Sequence, residues 1–381
     1  MAKAKVYFSD FHCGITSGRL DKLHDLIDRA GLGKIDFQDK FVAVKIHFGE
    51  LGNLGHIRHQ YAKVVCDYVK ERGGKPFLTD ASTLYIGKRN NAVDHLENAF
   101  LNGFSPLSTG VPTIIADGLR GTDERIISVE GAKHCKEARV ASVIAEADIL
   151  ISMTHTKGHM VAGYGGTLKN IGMGCGSRQG KMEMHSSDTP MILEDACIGC
   201  GNCVSHCDHN GVSIKNKKAV IDEDKCVGCG YCFCYCPKGA INCKWDEAPA
   251  AMVEKVAEYT KAAIGDKPAF HINFVSNVTK HCDCKPSNDV SIIPDIGMFA
   301  SFDPIALDQA CVDAINASVI FEDSELGDAA KEAGETPENG IFPAGSGHDV
   351  FKMVHPDSKW QAGLEHGEKL GLGTREYELI K

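Results

Sequence analysis

The chain is poor in several things, and each scarcity narrows what it can be. It contains no run of about 18 apolar residues, which excludes a membrane-spanning helix of the usual kind. Basic residues are in deficit, with 41 Lys and Arg against 51 Asp and Glu, so the net charge is −10. Such a chain has no cationic excess to neutralise phosphates, and nucleic acid is not expected as a partner. The opening residues Met1-Ala-Lys-Ala-Lys-Val-Tyr carry no apolar leader stretch, so a cytoplasmic location is expected. Trp245 and Trp360 are its only tryptophans, and neither lies in a motif. Low-complexity linkers are missing, and so are repeats beyond one cysteine pattern.

Cysteine is abundant, with 17 residues, and without a leader this argues for reduced thiols and metal ligation over disulfides. Eight of them form a duplicated run. Cys197, Cys200, Cys203 and Cys207 stand at C-x2-C-x2-C-x3-C spacing; eighteen residues later Cys226, Cys229, Cys232 and Cys236 repeat it, followed by Pro237. This is the bacterial ferredoxin pattern, in which the fourth Cys of each run ligates the other cluster. One [4Fe–4S] cluster is therefore assigned to Cys197, Cys200, Cys203 and Cys236, and a second to Cys226, Cys229, Cys232 and Cys207. Structural zinc, the competing assignment, normally uses two C-x2-C pairs and not two tetrads at this spacing. Asp208 stands where Pro is usual after the first run, and Cys234 and Cys243 are spare thiols.

At 381 residues the chain exceeds a usual single core, so more than one folding unit is expected. Strand patterns at Lys5–Ser9, Phe41–Phe48, Lys75–Asp80, Thr113–Asp117 and Asp148–Thr154 alternate with helical patterns at 19–30, 56–72, 91–101 and 132–147. That alternation predicts an α/β fold, a mostly parallel sheet with flanking helices. Strands resume after the cysteine run, at Ala269–Val275 and 290–294, beside helical segments at 250–263 and from Asp303-Pro304 onward. The division expected is an α/β body from 1–190 and 248–381, interrupted by an inserted two-cluster ferredoxin-like module at 191–247.

Four further groups carry chemistry. Lys45, His47 and Glu50 lie at and beyond the carboxyl end of a central strand, where open α/β sheets place ligands. His155, Lys157 and His159 follow the strongest strand and are candidate catalytic residues. The glycine-rich stretch Gly163–Gly180 reads as a loop free to approach an anion, with Lys169, Gly172, Gly174 and Arg178 as candidate cofactor-binding residues. It also reads as a hinge into the cysteine-rich segment. His281, Cys282 and Cys284, with Cys175 as a partner, are candidates for a third metal or a reactive thiol site. Cys13, Cys66, Cys135 and Cys311 are scattered and read as core or surface thiols.

His47-Phe-Gly-Glu, Gly74-Lys-Pro-Phe-Leu-Thr-Asp, Asn91-Ala-Val-Asp-His, Lys157-Gly-His and Gly165-Gly-Thr-Leu-Lys-Asn-Ile-Gly-Met-Gly together resemble a family of α/β iron–sulfur proteins known only as a domain of unknown function with a ferredoxin insertion. His281-Cys-Asp-Cys and Asp303-Pro-Ile-Ala-Leu-Asp extend the resemblance over nearly the whole chain. It implies the clusters and the fold, in organisms that are often anaerobes, and supplies no reaction. A fold-level likeness to lactate racemase carries no function by itself. The function expected is an iron–sulfur oxidoreductase passing low-potential electrons through two [4Fe–4S] clusters to a small-molecule substrate or metal in the α/β body. His155, Lys157 and His159 would bind or protonate that substrate, and a redox partner protein would exchange the electrons. A non-catalytic electron carrier or cluster-delivery protein is the competing expectation.

Overall fold

In the run Phe41–Ile46, Val42, Val44 and Ile46 pack into one hydrophobic core and Ala43 into another. The strand Ile149–His155 divides likewise, with Ile149, Ile151 and Met153 on the first side and Leu150 on the second. Strands buried on both faces need cover on both, and helices supply it. The computed structural model describes residues 3–186, 189–338, 341–342 and 348–381. Its eight-stranded sheet runs, edge to edge, Tyr377–Ile380, Ala4–Asp10, Gly297–Ser301, Ala269–Val275, Ile149–His155, Phe41–Ile46, Lys75–Asp80 and Thr113–Ile115. All neighbours are parallel except Gly297–Ser301, which opposes both of its own. The fold is thus mixed α/β with a mostly parallel sheet flanked by helices, as expected.

Helices Arg19–Arg29 and His59–Lys70 cover the first face with Leu23, Leu26 and Ile27, and with Ala62, Val65 and Val69. Pro249–Ile264, Pro304–Asn316 and Trp360–Lys369 build the second core. Asp303 caps the second of these through Oδ1, which accepts the Ile305 and Ala306 amides at 2.9 Å. Among the described residues no helix is long and apolar enough to cross a membrane.

The neighbouring strands Ile149–His155 and Ala269–Val275 are parallel, with His155 opposite Phe274. Segments leaving both therefore emerge at one edge of the sheet. Between them, Met191–Ile192 pairs antiparallel with Ile241–Asn242. The stretch they bracket holds two short helices, Asn202–Ser205 and Tyr231–Tyr235, and a hairpin of Val212–Lys215 with Lys218–Ile221. Cys197, Cys203, Val212, Phe233 and Ile241 centre a third, small core that also takes Leu84 and Met182.

Three expected elements are corrected. Residues 132–147 are not one helix: Glu137–Ala141 is a strand paired with Glu124–Ser128, and only Ser142–Glu146 is helical. Alternate burial of Ala138 and Val140 outweighs the helix propensity of the run. Residues 290–294 form no strand; Pro294 has no amide to give a ladder, and the strand is Gly297–Ser301. The glycine-rich stretch is mostly not a loop. Gly163–Gly165 is a short strand, and Thr167–Cys175 and Arg178–His185 are helices. Gly172 belongs there because an added Cβ would collide with the Val256 carbonyl of the Pro249–Ile264 helix, so its bareness serves close packing.

Candidate functional site

His155 ends its strand, and its ring is clamped by the segment that follows the neighbouring one. Nδ1 lies 2.9 Å from both Asp283 carboxylate oxygens, and Nε2 lies 2.7 Å from the Ser276 carbonyl. Both partners are acceptors, and together they occupy both ring nitrogens. Lys157 Nζ donates to the His155 carbonyl at 2.7 Å and sits 3.4 Å from Asp283. Burial alone would raise the Asp283 carboxyl, but His155 and Lys157 outweigh it and hold it well below the usual range. Burial pushes Lys157 downward, partly opposed by Asp283. Two of the three expected catalytic residues, His155 and Lys157, thus belong to a buried ion cluster whose organising carboxylate lies more than a hundred residues away in the chain.

A second buried network lies one strand over. Lys45 Nζ is 3.0 Å from Asp80 Oδ1 and 2.9 Å from Asn170 Oδ1. Asn170 in turn donates to the Met153 carbonyl at 3.0 Å. Arg89 pairs with Glu50 at 3.0 Å, reaches His47 Nε2 at 3.0 Å and donates to Tyr85 Oη at 2.6 Å. Burial opposes ionisation of Asp80, yet Lys45, His47, His95 and Arg89 keep its carboxyl below the ordinary range. Asp80, Arg89 and Asp283 were not singled out from the sequence. Their one local signal is Asp80 at a strand's carboxyl end; Arg89 and Asp283 sit on irregular segments whose destination no period reveals.

His159 joins the second part of the clamp. The Gly158 amide donates to the Thr279 carbonyl at 2.8 Å, and a Cβ on Gly158 would strike the backbone of Lys280. That docking brings His159, Cys282 and Cys284 together, with one ligand atom from each lying within 4.8 Å of the others. Cys282 and Cys284 are joined as a disulfide, which corrects the expectation of reduced thiols there. Asp283 between them turns to His155, while the two sulfurs lie beside His159. Burial holds His159 well below the usual imidazole range, and Lys169, His185, His355 and Lys157 add to the shift. Lys169 and Lys157 both flank Gly165; burial, then Lys157, brings the Lys169 ammonium down to about 7.

Other expected members lie elsewhere. His281 is half-buried, its ring 6.0 Å from that of His355 and outside the sulfur group. Cys175 is fully buried at the end of its helix, where burial raises its thiol to about 11 and Lys45 and Asp80 are its charged neighbours. Arg178 is fully buried with its donors on carbonyls: Nε to Arg120 at 3.0 Å, Nη1 to Thr83 at 2.8 Å and Nη2 to Asn90. It ties three segments through three of its five N–H groups. Gly174 faces Lys45, whose Nζ would stand 2.6 Å from an added Cβ, and Gly172 packs on a helix. Of the expected anion-binding set, Lys169 alone stands beside His159 and Lys157.

The cysteine-rich segment has two cavities. One, of about 320 Å³, is lined by Cys207, Cys226, Cys229 and Cys232, with His206, Asp208 and Tyr231 among its other walls. The second and smaller is lined by Cys197, Cys200, Cys203 and Cys236. Backbone amides point at the sulfurs: Ala219 to Cys197 at 3.3 Å, Gly211 to Cys207 at 3.2 Å and Ala240 to Cys236 at 3.1 Å. The Ala219 amide and that of Gly199 lower the Cys197 thiol. Among the described residues no three of these thiols lie within 4.8 Å of one another. The segment leans on the body through Cys234, whose Sγ donates to the Arg120 carbonyl at 3.2 Å, and through Trp245, 4.8 Å from the His185 ring.

Comparison with known proteins adds a family. No curated protein matches the sequence. Solved structures similar to the chain include the lactate racemase apoprotein from Thermoanaerobacterium thermosaccharolyticum, at 13% identity and a TM-score of 0.40 over 83% of this chain and 58% of that one. A protein from Thermotoga maritima matches at 13% identity and a TM-score of 0.38, over 78% of this chain and 58% of that one. The chain thus spans 58% of the length of each of these structures. Residues 42–313 match the family model described as Domain of unknown function (DUF362), more than half of the chain, and the protein belongs to that family.

Proposed function

We propose that the chain is an iron–sulfur redox protein, with one [4Fe–4S] cluster on Cys197, Cys200, Cys203 and Cys236 and a second on Cys207, Cys226, Cys229 and Cys232. The observation that carries this is the pairing of four thiols around each of two cavities, in the exchange expected of two ferredoxin runs. The amides directed at the sulfurs and the duplicated tetrad spacing favour clusters over zinc. Residues 191–247 would then form a ferredoxin-like module inserted in a body made of 1–190 and 248–381. When bound, such clusters supply one-electron transfer, in the low part of a range of roughly −700 to +450 mV.

The body's own residues supply charge and positioning. Asp283 fixes His155 and Lys157, and Lys169 and His159 present a cation and an N–H at the same sheet edge. We read this edge as the place where a substrate is held and reduced. Ile198 and Val227 are exposed beside the cysteines, as a docking face for a redox partner requires, and this is what favours the carrier reading as second choice. Iron analysis tests the clusters: anaerobically purified protein should hold about eight iron and eight sulfide per chain. Cys200→Ala and Cys229→Ala should each lose about half, and Cys13→Ala none; a count near four, or zinc in place of iron, sinks the assignment. Reoxidation of dithionite-reduced protein by a substrate, without a partner, separates enzyme from carrier.

A further inference from the structure

We propose that Cys282 and Cys284 are a redox-active pair, a disulfide that two electrons open to a dithiol, with His159 as the hydrogen-bond donor to the sulfur freed beside it. This deepens the reading above by naming an acceptor at the sheet edge, and it rests on that reading only for the route of the electrons. Four observations lead to it.

A bond between residues two apart encloses almost no chain, so it contributes little loop-closure stabilisation. The segment is in any case anchored without it: Glu50 N to Asp283 O at 2.9 Å, Asn53 Nδ2 to Lys285 O at 3.2 Å and Gly158 N to Thr279 O at 2.8 Å. A structural staple is not needed here.

The two sulfurs differ in access. Cys282 is buried beside His159, whereas Cys284 is part-exposed, so reagents and water reach one end of the bond. Asp283 is drawn off to His155 and Lys157, which keeps its negative charge directed away from a developing thiolate.

The tautomer of His159 is decided by its neighbours. Its Nδ1 accepts the Ala162 amide at 3.0 Å and the Val161 amide at 3.3 Å. In the neutral ring the proton therefore sits on Nε2, which leaves the ring an N–H to give and no free lone pair, with one ring nitrogen within 4.8 Å of both sulfurs. That suits a thiolate and does not suit a metal ion, whose histidine ligands donate outward from their other nitrogen. Lys157 and Lys169 both flank Gly165 and act electrostatically on His159, so the surroundings of the pair are cationic, and cations near a cysteine favour its thiolate. Among the described residues no carboxylate pairs with Lys169 within 4 Å.

The step balances as disulfide plus two electrons plus two protons giving two thiols. A low-potential one-electron donor delivers the electrons in turn, the S–S bond breaks, and both protons come from water. His159 keeps its own proton throughout and holds the buried thiolate until it is protonated.

The test uses the whole protein with its iron counted. After mild oxidation and alkylation, the peptide bearing both cysteines should carry no label; after dithionite it should carry two. A reductive titration should take up two more electrons per chain than Cys282→Ser does. Alkylation of Cys282 in the reduced protein at pH 7 should slow about tenfold in His159→Ala, the size of one hydrogen bond to a charged group, and recover in His159→Gln, which restores an N–H. A protein found without iron defeats the cluster reading and not this one, because a water-soluble phosphine should still open the pair. A pair already labelled in the oxidised protein overturns the proposal. So does one that stays closed under both reductants, or one zinc per chain that Cys282→Ser removes.

Discussion

Asp80 and Lys169 show how burial acts in opposite ways on two charges at the same sheet edge. Asp80 is outvoted: four cationic or polar-hydrogen neighbours hold its carboxyl ionised although burial opposes it. Replacing it by Asn should leave Lys45 buried without a counter-charge and cost about 3–5 kcal/mol of stability. Because the folded carboxyl titrates below its unfolded value near 3.9, its contribution is complete above that pH and fades as the pH falls beneath it. Urea midpoints from pH 3 to 7 should therefore fall more steeply on the acid side for the parent than for Asp80→Asn. Lys169 has no carboxylate within 4 Å among the described residues, and burial, then Lys157, brings its ammonium down to about 7 although Asp283 opposes this. Unfolded, a lysine keeps its proton to about 10.4, so between these values the unfolded chain binds more protons and stability rises with pH. Competitive acetylation should find the Lys169 amine half-reactive near pH 7, while exposed lysines follow near 10; a Lys169 titration indistinguishable from theirs contradicts the placement.

Elements were legible where one local rule settled them. Ile149–His155 is mostly apolar and buried on both faces, and Asp303-Pro304 announces a helix start that the structure has. Illegible elements depended on a neighbour far along the chain. The Thr167–Cys175 helix carries Gly172 and Gly174, which oppose helix by propensity, and is retained because the Pro249–Ile264 helix and Lys45 fill the space a side chain would take. Likewise His155 and Lys157 could be placed at a strand end, but Asp283, which decides what they can do, comes from another strand's exit. Gly172→Ala should thus destabilise by roughly 1–3 kcal/mol, the usual cost of overpacking, despite alanine's better helix propensity. Gly14→Ala, with open space around it, should change the urea midpoint little. Equal midpoints for the two would mean that the helices are not in close contact at Gly172.

At the scale of the molecule, three cores of very different strength share one chain. The two that sandwich the sheet are rich in buried Ile, Leu, Val and Phe, whereas the third is small and mixes four cysteines with a few apolar residues. A core that small gains too little from burial to order its loops, and metal ligation is the usual remedy. The way it is attached allows its separability to be tested. Met191 pairs with Asn242 and Ile192 with Ile241, so the chain leaves and returns at neighbouring points, about 5 Å apart as antiparallel partners are. Replacing residues 193–240 by an Asn-Gly turn should close that pair as a simple hairpin. The body should then keep its sheet: a far-ultraviolet spectrum with parallel-sheet and helix content, and one cooperative urea transition. Some stability should go with Leu84 and Met182, which lose their cover in the third core. Iron should vanish altogether, while the label on Cys282 and Cys284 still appears after the phosphine. Collapse of the deletion protein into an aggregate, with no cooperative transition, would show that the body and the cysteine-rich segment are one folding unit.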